Sequence, residues 1–193
     1  MRFRKMLLCT LALSIVGGAT VAANEAWKKM RIKVNDVEVA GGINVDGKTY
    51  VPLRAVADTL QALIKVDSGS DTVHIYKPNV HLFLFTGDKN AMKPFGNVYQ
   101  GQYKFVVFAQ VDNMMTKAHS IKINVTDPDG QTLKSVVAPL AGDQGDNFWY
   151  VSSEIDVDFR STGQYKVKFF IQQTPESDYE LVSEKAIQSL KNN

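Results

Sequence analysis

Apolar and polar residues alternate with period two along most of this chain, the pattern of strands that keep one face dry and one wet. The clearest case is Ile121, Ile123 and Val125 interleaved with Lys122, Asn124 and Thr126. Read this way, the N-terminal part predicts a hairpin over residues 31–34 and 37–39, a second over 42–51, and a third over 62–66 and 72–76. Further strands are predicted over 80–85, 103–111, 120–126, 132–138, 148–155, 164–172 and 179–187. Turn residues punctuate them: Asn35-Asp36, DSGSD at 67–71, DPDG at 127–130, AGDQGD at 141–146 and STG at 161–163. The period changes in one place. Leu53, Val56, Ala57 and Leu60 follow at i, i+3, i+4 and i+7 behind Pro52, whose missing N–H costs little in a helix's first turn. Leu53, Val56 and Leu60 are expected to pack on the small sheet, with Arg54 and Asp58 on the wet side.

These elements fall into two groups, and the fold class they predict is mainly β. Residues 24–79 form a small α+β module of antiparallel strands plus one short helix. Residues 80–193 hold seven β-runs at short spacing, which is the arithmetic of an immunoglobulin-like antiparallel β-sandwich. Tyr165, at the head of the run GQYKVKFFIQ, stands where a tyrosine corner would. Lys77-Pro78-Asn79 is the expected boundary between folding units of unequal stability. No long Gly/Ser or Pro-rich linker lies there, so the modules are expected to be held close.

One motif competes with this reading. GINVDGKT, from Gly42 to Thr49, fits the phosphate-loop pattern G-x-x-x-x-G-K-[ST] letter for letter. A phosphate loop must open a helix at its Lys, so that backbone N–H groups point at the phosphates. Here Lys48 and Thr49 run into Tyr50, Val51 and Pro52, residues of a strand and then a helix breaker. Asp46-Gly47 is a type I′ hairpin signal between alternating residues. The segment reads as a β-hairpin with Lys48 facing water, and no nucleotide is expected.

The first residues set the compartment. Arg2, Arg4 and Lys5 precede an apolar run over 6–16 and then small residues, which is the pattern of a secretory signal peptide over residues 1–23. Cleavage is expected after Ala23, with Ala22 the neighbouring choice. The apolar run is shorter than the roughly 20 residues of a spanning helix, so no membrane anchor is expected after signal removal. Cys9, the only cysteine, lies in this leader behind bulky Leu8, so the mature chain carries no thiol, disulfide or lipid anchor. Removing the leader takes three of 22 basic residues and none of the 20 acidic ones, leaving 19 against 20. No net positive field then draws the chain to nucleic acid or anionic lipid; only a local patch would.

From Arg31 to Lys77 the chain resembles the copper amine oxidase N-terminal domain, or stalk domain, whose hallmark dG(r/k)tyVPLRavae-L-ga is matched by Asp46 to Leu60. It departs at Gln61, where a helix-ending Gly is usual, and at Val66, where Trp often precedes the Asp. The resemblance implies a non-catalytic module of the kind repeated in secreted and cell-envelope proteins. It implies no copper, because in the oxidases the metal and the quinone belong to a separate catalytic domain. His74, His81 and His119 lie singly among strand residues, with no metal-ligand spacing. Asp127, Asp129, Asp143, Asp146, Asp156 and Asp158 lack the twelve-residue calcium-loop spacing and read as turn and surface residues.

The function expected is that of a secreted, non-catalytic binding or structural protein of the cell envelope, without cofactor, the stalk-like module serving as spacer or docking unit and the sandwich carrying recognition. The expected partner is a cell-wall polymer or another envelope protein. The recognition surface is placed at Trp149, Tyr150, Asp143 and Asp146, because adjacent aromatics on a strand send one member outward. Two alternatives stand beside it: a small extracellular hydrolase using carboxylates, and an adaptor for another envelope protein.

Overall fold

The structure is a computed structural model and describes residues 27–67, 69–87, 91–142 and 144–192. The expected leader over residues 1–23 and Asp143 lie outside the described residues. Among the described residues the chain is mainly β, with one short helix in an N-terminal α+β module and a sandwich after it.

The module begins with a three-stranded antiparallel meander, β1 (Trp27–Val34), β2 (Val37–Val45) and β3 (Lys48–Tyr50). Both of its turns place two residues at positive φ, Asn35 and Asp36 at 50° and 63°, Asp46 and Gly47 at 48° and 77°, as type I′ turns require. GINVDGKT is thus the β2–β3 hairpin, and no helix opens at Lys48. The two hairpins expected here share one continuous strand. An extra residue in β2 makes this possible, since Met30 pairs with Gly42 but Ile32 with Val39. Gly41 sits in that bulge at φ 87°, where a Cβ would lie 2.8 Å from the Pro52 ring.

The helix α1 (Leu53–Leu60) ends on Gln61 in the left-handed region, φ 57°, where a side chain with a Cβ takes the conformation that Gly adopts at less cost. Its packing departs from expectation. Ala57 is the buried residue and Val56 is half-buried, but Leu53 and Leu60 are exposed, at 38% and 44%. The reason is width: β3 is exposed at all three residues, and a sheet this narrow meets the helix at its alanine and leaves the flanking leucines in water.

After α1 come the hairpin of β4 (Leu63–Asp67) and β5 (Thr72–Tyr76), then β6 (Asn79–Thr86), β7 (Lys93–Pro94), β8 (Asn97–Tyr99) and β9 (Gly101–Asp112). The chain continues with β10 (Ser120–Thr126), β11 (Thr132–Pro139), β12 (Phe148–Val151), β13 (Ile155–Phe159), β14 (Gly163–Gln172) and β15 (Tyr179–Leu190). One sheet of the sandwich runs β11-β10-β14-β15-β8; the other runs β12-β9-β6-β7, with β13 also on β9. All pairs are antiparallel except β8 with β15.

The strand expected over 148–155 ends at Val151, and a further strand, β13, begins at Ile155. Ser152 lies between them: its N–H donates to the Val107 carbonyl and its hydroxyl accepts the Val107 N–H, both at 2.9 Å. The serine thereby stands in for a ladder partner, and pairing resumes at Ile155 opposite Phe105 with the register shifted by one residue.

The core between the sheets holds Phe105, Ile121, Ile123, Phe159, Tyr165, Phe169 and Ile171, all buried. Tyr165 forms the expected corner, its hydroxyl accepting the Ser161 N–H four residues upstream at 3.0 Å. Tyr165→Phe is expected to cost about 1 kcal/mol in chemical denaturation, because it strands that N–H in a part-buried turn. An unchanged midpoint would show the corner to be ornamental.

The hairpin β4–β5 docks on the sandwich. Leu63 is fully buried within the sandwich core cluster, and Tyr76 packs against it. Beside it, Glu180 of β15, 8% exposed, accepts the Ile64 N–H at 3.1 Å and the Gln173 side-chain N–H at 2.7 Å. The same Gln173 amide donates to the Ile64 carbonyl at 3.1 Å. Among the described residues, no helix is long and apolar enough to cross a membrane.

Candidate recognition surface

Alternation on β6, β9 and β12 decides which aromatic residues meet water. On β9, Phe105, Val107, Ala109 and Val111 point into the core, which turns Val106, Phe108 and Gln110 outward. On β6 the buried pair Leu82 and Leu84 turns His81, Phe83 and Phe85 outward. On β12 Trp149 and Val151 face out, while Phe148 is buried and Tyr150 half-buried. Register then places Phe83 opposite Phe108, and Phe108 opposite Val151.

The outcome is an aromatic row across three strands. The Phe83 and Phe108 ring centroids are 6.1 Å apart, and those of Phe108 and Trp149 6.3 Å, with the rings tilted by 56° and 45°. Trp149 is 73% exposed and Phe83 44%, so both offer ring faces to solvent. An apolar row of this kind on the solvent side of an antiparallel sheet is the exception in a monomer, where that side is normally polar. At one end of the row, Gln110, Asp112 and Asn147 line an open hollow of about 590 Å³ against Trp149. Gln110 donates to one Asp112 carboxylate oxygen at 2.9 Å, and neither its own amide oxygen nor the second carboxylate oxygen is used in that bond. Asn147 accepts the Asn113 N–H at 3.0 Å, leaving its amide N–H groups to donate.

The residues singled out in the sequence part company here. Trp149 heads the aromatic row. Its neighbour Tyr150 turns inward to the core, 6.5 Å from the Phe169 ring, and burial pushes its phenol above the ordinary value. Asp146 lies round the corner, in a cleft of about 460 Å³ shared with Lys65, Lys117 and Gln173, where the module meets the end of the sandwich. Its carbonyl accepts the Met114 N–H at 2.9 Å. Asp143 falls outside the described residues. Phe83, Gln110 and Asp112 were not singled out; the signal for Phe83 is HLFLF, a strand apolar on both faces, which either lies in a fully buried sheet or has something to meet.

Several carboxylates elsewhere are tied to local work. In a cleft of about 400 Å³ at the opposite end, Asp127 caps its own turn by accepting the Asp129 and Gln131 N–H groups at 3.0 and 2.8 Å. Asp158 pairs with Arg160 at 2.8 Å, and Asp156 accepts from Gln102. His74 stacks on Tyr76 with centroids 5.8 Å apart. Among the described residues, no group of three or more His, Cys, Asp or Glu is placed to hold a metal ion.

Residues 29–115 match the family model of the copper amine oxidase N-terminal domain, so the match runs from β1 through the module and on past β9 of the sandwich. In the copper amine oxidases that domain is non-catalytic. No curated protein matches the chain. Among solved structures, the chain is similar to the soluble domain of PmoD from Methylocystis, at 12% identity and TM-score 0.35, covering 57% of this chain and 90% of that one. It is similar to a CARDB domain in complex with di-metal ions from Pyrococcus furiosus, at 10% identity and TM-score 0.36, covering 60% and 96%. It is also similar to the C-terminal domain of wzt, at 9% identity and TM-score 0.37, covering 68% and 80%. Overlaps this loose carry neither function nor metal binding to this chain.

Proposed function

We propose that this chain is a secreted, non-catalytic protein of the cell envelope that recognises a cell-wall polymer through the row Trp149, Phe108 and Phe83, with the N-terminal module as its docking piece. The observation that carries this reading is the exposure of Trp149 at the head of that row, with Gln110, Asp112 and Asn147 beside it. A sugar ring offers just this combination to a binding surface, an apolar C–H face for stacking and hydroxyls around its edge for hydrogen bonds. An envelope protein that docks an apolar side chain on the same row is the second partner, favoured by the tilt of the rings, which forms a ridged face in place of a flat one. A carboxylate hydrolase would need acids converging on a pocket, and in the cleft around Asp127 that residue is held by its own turn, Asp158 by Arg160 and Asp156 by Gln102.

Trp149→Ala is expected to reduce retention on purified cell wall at least tenfold, the scale of a truncated aromatic anchor. Its unfolding midpoint should stay close to that of the parent, since the side chain is exposed. Phe83→Ala should act in the same direction. Full retention by both variants would remove the row from recognition. Retention on envelope protein extract, lost in both, with none on purified wall would move the reading to the second partner.

A further inference from the structure

The outer face of the three-stranded sheet carries a pattern that the Trp149 surface does not use. The inner face is the one turned to α1, with Ile32 half-buried and Val39 buried. Alternation sends Trp27, Lys29, Arg31 and Lys33 of β1 to the other side. Register sets Val45 beside Trp27 and Ile43 beside Lys29, then Lys48 beside Val45 and Tyr50 beside Ile43. Two contacts agree with this sidedness. The Lys29 ammonium lies over the Trp27 ring, 6.0 Å from its centroid, and Arg31 reaches Glu38 at 3.8 Å. The face thus carries four cations and one acid beside the apolar and aromatic group Trp27, Ile43, Val45 and Tyr50, with Trp27 and Tyr50 exposed. The chain beyond the leader is close to neutral, 19 basic against 20 acidic residues, so this is a concentration of charge and no reflection of the average.

We propose that this face docks on an anionic lipid bilayer. Trp27 and Tyr50 enter the headgroup region, where an aromatic body and a polar tip are both satisfied. Lys29, Arg31, Lys33 and Lys48 lay their stems on the sheet and meet the anionic headgroups. A soluble polyanion would engage the charges alone; exposed aromatic rings flanked by cations find their complement where negative charge overlies an apolar layer. The inference goes beyond the Trp149 reading and uses no residue of that row.

The test is co-sedimentation of the chain from Asn24 onward, without the leader, on vesicles of phosphatidylglycerol mixed with phosphatidylcholine and on phosphatidylcholine alone. Binding is expected on the anionic vesicles, to fall with rising salt, and to drop about fivefold for each charge removed in Lys29→Gln and Lys48→Gln. Trp27→Ala with Tyr50→Ala should weaken it further, while Trp149→Ala should leave it unchanged, which separates this site from the recognition row. The chain has two tryptophans. In a Trp149→Phe background, Trp27 emission should therefore shift to shorter wavelength on anionic vesicles. Equal binding to phosphatidylcholine, no sedimentation at low salt, or full binding by the Trp27 and Tyr50 variant would each overturn the proposal. So would capture of soluble polyphosphate with none of the vesicles.

Discussion

Leu63→Ala is expected to destabilise the whole sandwich by about 2–5 kcal/mol, the cost of emptying a fully buried leucine site, although Leu63 belongs to the N-terminal module. Leu63 contacts nothing wet: it is fully buried in one cluster with Leu82, Val111 and Val182 of the sandwich. Leu60, three residues earlier in the chain, is 44% exposed, and Leu60→Ala is expected to stay within about 0.5–1 kcal/mol. The pair makes a matched comparison of one chemical change at two burials. Urea denaturation followed separately by Trp27 and Trp149 fluorescence checks it. A single shared transition, moved by Leu63→Ala in both signals, is the expected result. If Leu63→Ala moves only the Trp27 signal, the hairpin is an appendage and its leucine no part of the sandwich core.

That contrast also shows where sequence reasoning reaches its end. Helical spacing marks Leu53, Val56, Ala57 and Leu60 as one face, and α1 does form there. What spacing cannot measure is the width of the surface that face meets, and the narrow meander covers Ala57 and leaves Leu60 out. Strand alternation fared better because it is a local property of each backbone. It anticipated the β2–β3 hairpin under a phosphate-loop look-alike and the sandwich strands β6, β9 to β12, β14 and β15, but not β13. It missed β7 and β8, two and three residues long, which carry too few positions to show a period. It ran β12 into Ile155 because a serine that replaces a ladder partner through its hydroxyl leaves no mark in the pattern.

The recognition surface was half legible for the same reason. Adjacent aromatics announce that one of Trp149 and Tyr150 faces out, and the local period leaves open which. The choice is made by Phe148, whose burial fixes the phase of β12. Phe83 joins Trp149 only through Phe108 on the strand between them, a juxtaposition made by the pairing of β6 and β12 on either side of β9. Asp146, close to Trp149 in the chain, is carried by its loop to the other cleft.

Glu180→Ala is expected to lower the stability of the full chain by about 1–3 kcal/mol, the penalty for leaving buried donors without acceptors. Three groups converge there: the Ile64 N–H on one carboxylate oxygen, the Gln173 amide on the other, and Arg54 at 3.8 Å. Arg54 has a side chain 63% exposed, so Arg54→Ala should cost under about 1 kcal/mol, and the hydrogen bonds carry the junction. Glu180→Gln separates charge from geometry. Its amide oxygen can still accept from Ile64, but its NH2 then faces the NH2 of Gln173. Gln173 relieves that clash only by turning over, which gives up its bond to the Ile64 carbonyl and reverses its role toward Thr116, whose hydroxyl now donates to it at 3.0 Å. The order of stabilities should therefore be parent, then Glu180→Gln, then Glu180→Ala. Amide hydrogen exchange gives the local reading, because Ile64 N–H protection should fall most in Glu180→Ala and little in Arg54→Ala. Equal protection of Ile64 in all the variants would mean that β4 is held by Leu63 alone. The carboxylate would then be a bystander at a contact where residues more than a hundred positions apart join the module to the sandwich.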